Sequence, residues 1–288
     1  MVEGMLLALA AAVVYGFLGI SFEIAGKRHY NIWNVILLKQ TAGLLLGLAV
    51  WAFGAVPLAS LRLAWLGFIG AFSYIATLAA YLTASRQRDI AANWTIVNLS
   101  VLIPILVSVF WFQDAFTARK AAGVVCTLAS IIAIGGGFEG GSSAGGAGWL
   151  RAIAIAFFFN SWLVVLFRFV PPGSEILFTV YFHGLSIPMV LLYKLARDRH
   201  WQISRGLLSV ATASAVTHWG GVVLTMVALV QVGRVSGQAG VIVYPITNGL
   251  VIPIGVVLGA LLLKQRIQRR SALGVACGMA ALVFLSLP

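Results

Sequence analysis

The strongest constraint on this chain is the near-absence of charge from stretches long enough to cross a bilayer. A hydrocarbon core of about 30 Å takes about 20 helical residues to span, and apolar runs of that length recur from end to end. Their spacing predicts helices over 4–26, 32–54, 61–85, 90–112 and 119–138, then over 148–170, 175–195, 206–231, 235–262 and 268–287. Lipid offers no hydrogen bonds, so a spanning segment must be a helix or part of a closed barrel. The runs are continuous and lack the alternating polarity of barrel strands. The sequence therefore reads as an all-α membrane protein of about ten transmembrane helices.

Composition excludes the other classes. Of 288 residues, 61% are hydrophobic and 9% are charged, against about 25% charged in a soluble domain. The net charge of +12 does not indicate a nucleic-acid partner, because the basic residues are scattered through short loops and form no stripe. Basic loops beside apolar spans are instead what membrane topology requires. The first run lacks a basic leader and is expected to stay as a helix. Cys126 and Cys277 sit inside apolar runs, as small packing residues and not as a disulfide framework. No His-Glu-x-x-His, Gly-x-Ser-x-Gly or Walker lysine loop occurs, so neither an enzyme nor a nucleotide-driven pump is expected. No cofactor or metal is implied.

The stretch from Gly135 to Gly148 is rich in glycine and serine, the composition of a flexible linker. It divides the chain into a first five-helix repeat (1–138), a linker (139–147) and a second five-helix repeat (148–288). The halves match in places. Val101-Leu102-Ile103-Pro104-Ile105 resembles Leu250-Val251-Ile252-Pro253-Ile254, and Gly123-Val124-Val125-Cys126 resembles Gly274-Val275-Ala276-Cys277. An odd number of helices per repeat makes the second copy enter the membrane from the opposite side. Inverted repeats with a midplane site between them recur in transporters.

These features resemble the drug/metabolite transporter superfamily, in particular its ten-helix EamA-type members. The resemblance rests on Tyr15-Gly16 in the first helix, the proline-centred fourth and ninth helices, and a polar turn before the helix that closes each repeat. That turn commonly carries Gly-Glu in the family; here Gln113-Asp114 and Lys264-Gln265 stand there, and the second departs clearly. The resemblance implies a secondary transporter, often an exporter, of a small metabolite, amino acid or organic cation by alternating access. It does not name the cargo. The expected location is a bacterial inner (plasma) membrane, and a channel for a small solute is the alternative reading.

Polar groups inside the membrane are costly, so each needs a reason. Lys39 and Glu23 lie well inside predicted helices, at heights that differ by about 6 Å. A Glu23–Lys39 pair is therefore a candidate proton-coupling or substrate-charge site, unless both side chains snorkel to the interface. His183 holds the repeat position of Lys39, and His218 is the second intramembrane histidine; either could titrate near neutral pH or simply pack. Asn98, Tyr244 and Asn248 flank the prolines of the fourth and ninth helices, where Pro104, Pro245 and Pro253 each remove a backbone donor. Trp94 and Tyr81 complete the candidates, as aromatic walls for an amphipathic solute. Gly43 and Gly47 form a small-residue pair suited to close helix packing, either within the chain or in a homodimer.

Overall fold

The computed structural model describes residues 1–53, 60–86, 96–134, 147–263 and 269–286. Every element among them is helical. In chain order they are α1 (Val2–Lys27), α2 (Ile32–Phe53), α3 (Leu61–Ser85), α4 (Leu102–Phe110), α5 (Ala118–Ile134), α6 (Ala147–Leu166), α7 (Glu175–Ala196) and α8 (Arg205–Ser236). The last are α9 (Ala239–Tyr244), a π-helical turn (Pro245–Gly249), α10 (Val251–Leu263) and α11 (Arg269–Ser286).

Seven spans among the described residues are long and apolar enough to cross a bilayer. They are α1, α2, α3, α6 with its terminal turn, α7, α8, and the run Ala239–Leu262 through α9 and α10. Shorter apolar helices cover Ile96–Phe110 and Ala272–Leu285. Large apolar side chains such as Phe53, Leu45, Trp65, Phe110 and Trp111 point outward and are exposed. A water-soluble monomer rarely presents so much apolar surface, and this outer face is compatible with an integral membrane protein.

Two boundaries differ from the sequence reading, each for a local reason. Helix α8 runs on to Ser236 and ends at Gly237 in the left-handed conformation (φ 61°), the usual glycine stop. The next span therefore begins at Ala239 rather than 235. The fourth run is interrupted at Ser100–Val101. Pro104 has no N–H to give to the Ser100 carbonyl one turn back. That oxygen instead accepts from Ile103 N at 3.1 Å and shares the Ser161 hydroxyl of α6, 3.3 Å away, with Phe157 O at 2.8 Å. A neighbouring helix thus satisfies what proline leaves open.

The helices pack in antiparallel and crossing pairs. Helix α1 lies along α8, α3 along α6, α2 along α7, and α5 along α11. Helix α7 also contacts α3, α8 contacts α2, and α4 meets α9. The largest cluster of the buried core draws on both halves, with Phe22, Ile36, Leu78, Phe178, Phe182 and Met226 among its members, and two smaller clusters flank it. The Gly43–Gly47 face packs against other helices of the same chain. Gly47 lies against Val180 and Trp219, and Gly43 lies against the His183 ring.

Candidate functional site

Four helices (α2, α3, α7 and α8) converge on a polar cluster at the centre of the bundle. Lys39 is 0% exposed, its Nζ stands 4.3 Å from the centroid of the Tyr74 ring, and it has no hydrogen-bond partner. Tyr74 packs against His218, with ring centroids 4.3 Å apart. His218 in turn stands 5.9 Å from His183. The Tyr74 hydroxyl, His183 Nε2 and His218 Nδ1 are likewise buried without partners.

One member of the cluster is firmly held. The Ser186 hydroxyl donates to Phe182 O at 2.7 Å, so it accepts from Gln40 Nε2 at 2.8 Å. That fixes the amide and turns Gln40 Oε1 toward His183 Nδ1, 2.7 Å away. The network thereby assigns the proton of His183 to Nδ1. Close approach depends on Gly43, where a Cβ would come within 2.5 Å of the ring.

Beside this cluster lies a cavity of about 80 Å³, room for several waters at about 10–15 Å³ each. Its polar wall is made by Tyr74, Thr77, Tyr81, Asn98, Asn160 and His218. Leu18 and Phe22 of α1, Leu78 of α3, and Leu163 and Phe167 at the end of α6 form an apolar wall. Asn248 enters from the π-helical turn, where Pro245 and the wider winding break the regular ladder. Both halves of the chain therefore contribute to the one cavity.

The sequence candidates separate into three groups. His218, Asn98, Asn248 and Tyr81 line the cavity. Lys39 and His183 are completely buried but stand behind that wall, against Tyr74 and His218 rather than in the open space. Tyr244 is also fully buried, and its hydroxyl donates to Val164 O at 3.3 Å, a packing bond. Trp94 falls outside the described residues.

The Glu23–Lys39 pair is not formed. Glu23 bonds Lys27 one helical turn further along α1, at 2.6 Å. A partner on the same helix face needs no reach across the bundle, and it takes the carboxylate away from Lys39. Gln40 is the member of the cluster that sequence reasoning missed. An amide in mid-helix directly after Lys39 was the signal available.

A second polar cluster closes the end of the bundle at the turn between α4 and α5. Asp114 accepts from Arg168 at 2.8 Å, from Gly240 N at 2.6 Å and from Val241 N at 3.4 Å. It thus sits on the first turn of α9, whose free N–H groups favour an anion. Gly240 leaves the space: a Cβ there would overlap the Ser108 hydroxyl. Burial pushes the Asp114 carboxyl above the usual carboxylate range, and the Arg168 charge and the two amides only partly offset it. At the opposite end, Asp198 bonds Lys194 at 3.0 Å and Asn31 at 3.3 Å. Slight burial would raise its pKa, but Lys194, Asn31 and the His200 backbone outweigh that and hold it below the usual range.

No family model and no curated protein matches the chain. Among solved structures, one crystal structure of a protein aligns with a TM-score of 0.74 at 18% identity, over 99% of this chain and 98% of that chain. At that identity the likeness establishes the fold alone, over essentially the whole length.

Proposed function

We propose that the chain is a secondary transporter of the EamA type, in which ten transmembrane helices form two inverted five-helix repeats around a central solute site. The observation that carries this reading is a cavity walled by both halves, with buried polar groups of α2, α3, α7 and α8 at and behind its wall. A site shared between two similar halves is what alternating access requires, because rocking one half against the other exposes it to each side in turn.

Helix pairing supports the repeat. Exchanging the halves turns the α1–α8 contact into α6–α3, and α2–α8 into α7–α3, while α2–α7 and α5–α11 map onto themselves. The breaks in helical winding also correspond, each lying just before a proline: Ser100–Val101 before Pro104, and the π-helical turn before Pro253. Thirteen of the 19 basic residues fall in the connections that follow the odd-numbered spans or at the helix ends beside them, and five in or beside the others, Lys39 lying within the membrane. By the positive-inside rule the crowded side is cytoplasmic, which puts both termini outside a bacterial inner membrane, opposite to the usual family drawing. A phosphatase fusion at Pro288 is then active and a fluorescent-protein fusion dark; the reverse pattern overturns this orientation.

Transport itself is tested in proteoliposomes preloaded with unlabelled amino acids, organic anions or organic cations. Saturable uptake of the labelled counterpart, accelerated by the preloaded solute, is the expected result. Uncoupled conductance that does not saturate would identify a channel instead.

A further inference from the structure

Resting on the reading of the cavity as a solute site, we infer that its ligand is a small organic anion, with an acid group directed at Tyr74 and His218 and an apolar body against α1 and α6.

The argument is one of charge and donors. Lys39 is a fully buried amine without a hydrogen-bond partner, one side chain away from the cavity through Tyr74. A buried cation is tolerated when an opposite charge or several acceptors stand beside it. Among the described residues no carboxylate fills that place. Glu23 is taken by Lys27 and Asp114 by Arg168. Asp198 is taken by Lys194, Glu175 accepts from the Gly173 N–H, and Glu3 is exposed on the first turn of α1.

The Tyr74 hydroxyl and His218 Nδ1 both belong to cavity-lining residues, are buried, and lack partners. A carboxylate placed there accepts from the hydroxyl and stands one aromatic ring away from the Lys39 amine, where it favours the ammonium form by Coulomb attraction. The remaining wall, with Leu18, Phe22, Leu163 and Phe167, suits an apolar body. The same inventory disfavours cations and zwitterions. An ammonium group entering this cavity finds aromatic faces and amides but no described carboxylate.

Four ligands of one shape separate these cases: 3-phenylpropanoate, 3-phenylpropanamide, phenethylamine and phenylalanine. Each is titrated into the full-length protein in neutral detergent free of anionic lipid, so that no lipid headgroup supplies the charge. A ligand that binds only the folded state raises the melting temperature by mass action. The expected result is a shift with 3-phenylpropanoate and a smaller or absent shift with the other three. Lys39→Met should weaken 3-phenylpropanoate binding about thirtyfold or more, as for a desolvated charge partner. Lys39→Arg should retain most of it, and Tyr74→Phe should weaken it about fivefold through the lost donor. If Lys39→Met fails to insert, Tyr74→Phe carries the test, since it keeps the ring. Phenethylamine or phenylalanine binding as well as the carboxylate overturns the inference, as does unchanged carboxylate binding in Lys39→Met or Tyr74→Phe. Flux assays of the same four compounds keep the two readings apart. Anion binding without flux leaves the ligand class standing and removes transport. Saturable flux of phenethylamine alone removes the ligand class and leaves transport.

Discussion

Two of the buried polar clusters among the described residues differ in how their ionic groups are paired. Around Asp114 every ionic group has a partner: Arg168, two backbone N–H groups, and a helix terminus behind them. Around Lys39 the polar atoms are just as deeply buried, yet the amine, the Tyr74 hydroxyl and one nitrogen each of His183 and His218 have none. The first arrangement pairs its charges within the folded chain and ties the α4–α5 turn to α6 and α9, although the neighbouring Ser108 hydroxyl is buried without a partner. The second is incomplete, and a protein that keeps uncompensated polar groups in its interior needs something else to satisfy them. Paired ionic burial ties a turn to its neighbours here, and unpaired ionic burial is what the proposed solute site rests on.

That contrast can be broken by removing one basic side chain from each cluster. Arg168→Met leaves the Asp114 carboxylate, only 1% exposed, without a counter-charge, and we expect a loss of about 3 kcal/mol in chemical unfolding. Adding Asp114→Asn should recover a good part of it. A loss below about 1 kcal/mol would reduce the pair to an ordinary surface bridge. Lys39→Met is expected to act the other way. Uptake falls about tenfold or more while stability holds or rises by about 1 kcal/mol, because a buried amine with no partner is replaced by an apolar chain of similar length. A destabilisation like that of Arg168→Met would erase the distinction between the clusters.

Two smaller effects sharpen it. Gly43→Ala drives a Cβ into the His183 ring at 2.5 Å and should cost about 2 kcal/mol, with the Gln40–His183 bond disturbed. A neutral result in thermal unfolding would mean that His183 is not held in place by α2. At the Asp114 end, Gln113 adopts φ 57°, a region that glycine occupies without strain. Gln113→Gly should therefore stabilise the turn by about 0.5 kcal/mol less whatever its bond to Phe110 O contributes. A large destabilisation would show that this side chain, and not only Asp114, organises the turn.

Much of the fold was legible from the sequence because lipid makes a simple demand. Any segment that spans must be apolar and about twenty residues long, so the bounds of α2, α3 and α7 fall within a residue of the apolar runs. Errors came where backbone chemistry overrode hydropathy, at Gly237 and at the carbonyl left open by Pro104. The site was partly legible. His218, Asn98, Asn248 and Tyr81 stand out as polar or amphipathic residues in apolar runs, and they do line the cavity.

What the sequence alone determined was the list of costly groups and the positions along the chain where each must be accommodated. It could not determine partners, because partnership depends on which helix faces meet. Glu23 and Lys39 lie at compatible heights, but height says nothing of azimuth, and Glu23 found Lys27 on its own helix. Nothing in the sequence links Asp114 to Arg168 or Gly240, which lie 54 and 126 residues away. Only the tertiary packing of α4, α6 and α9 brings them within hydrogen-bond reach. Electrostatic and hydrogen-bond energies fall off over a few ångströms, so the assignment of satisfied and unsatisfied groups belongs to the packed structure and not to the order of residues.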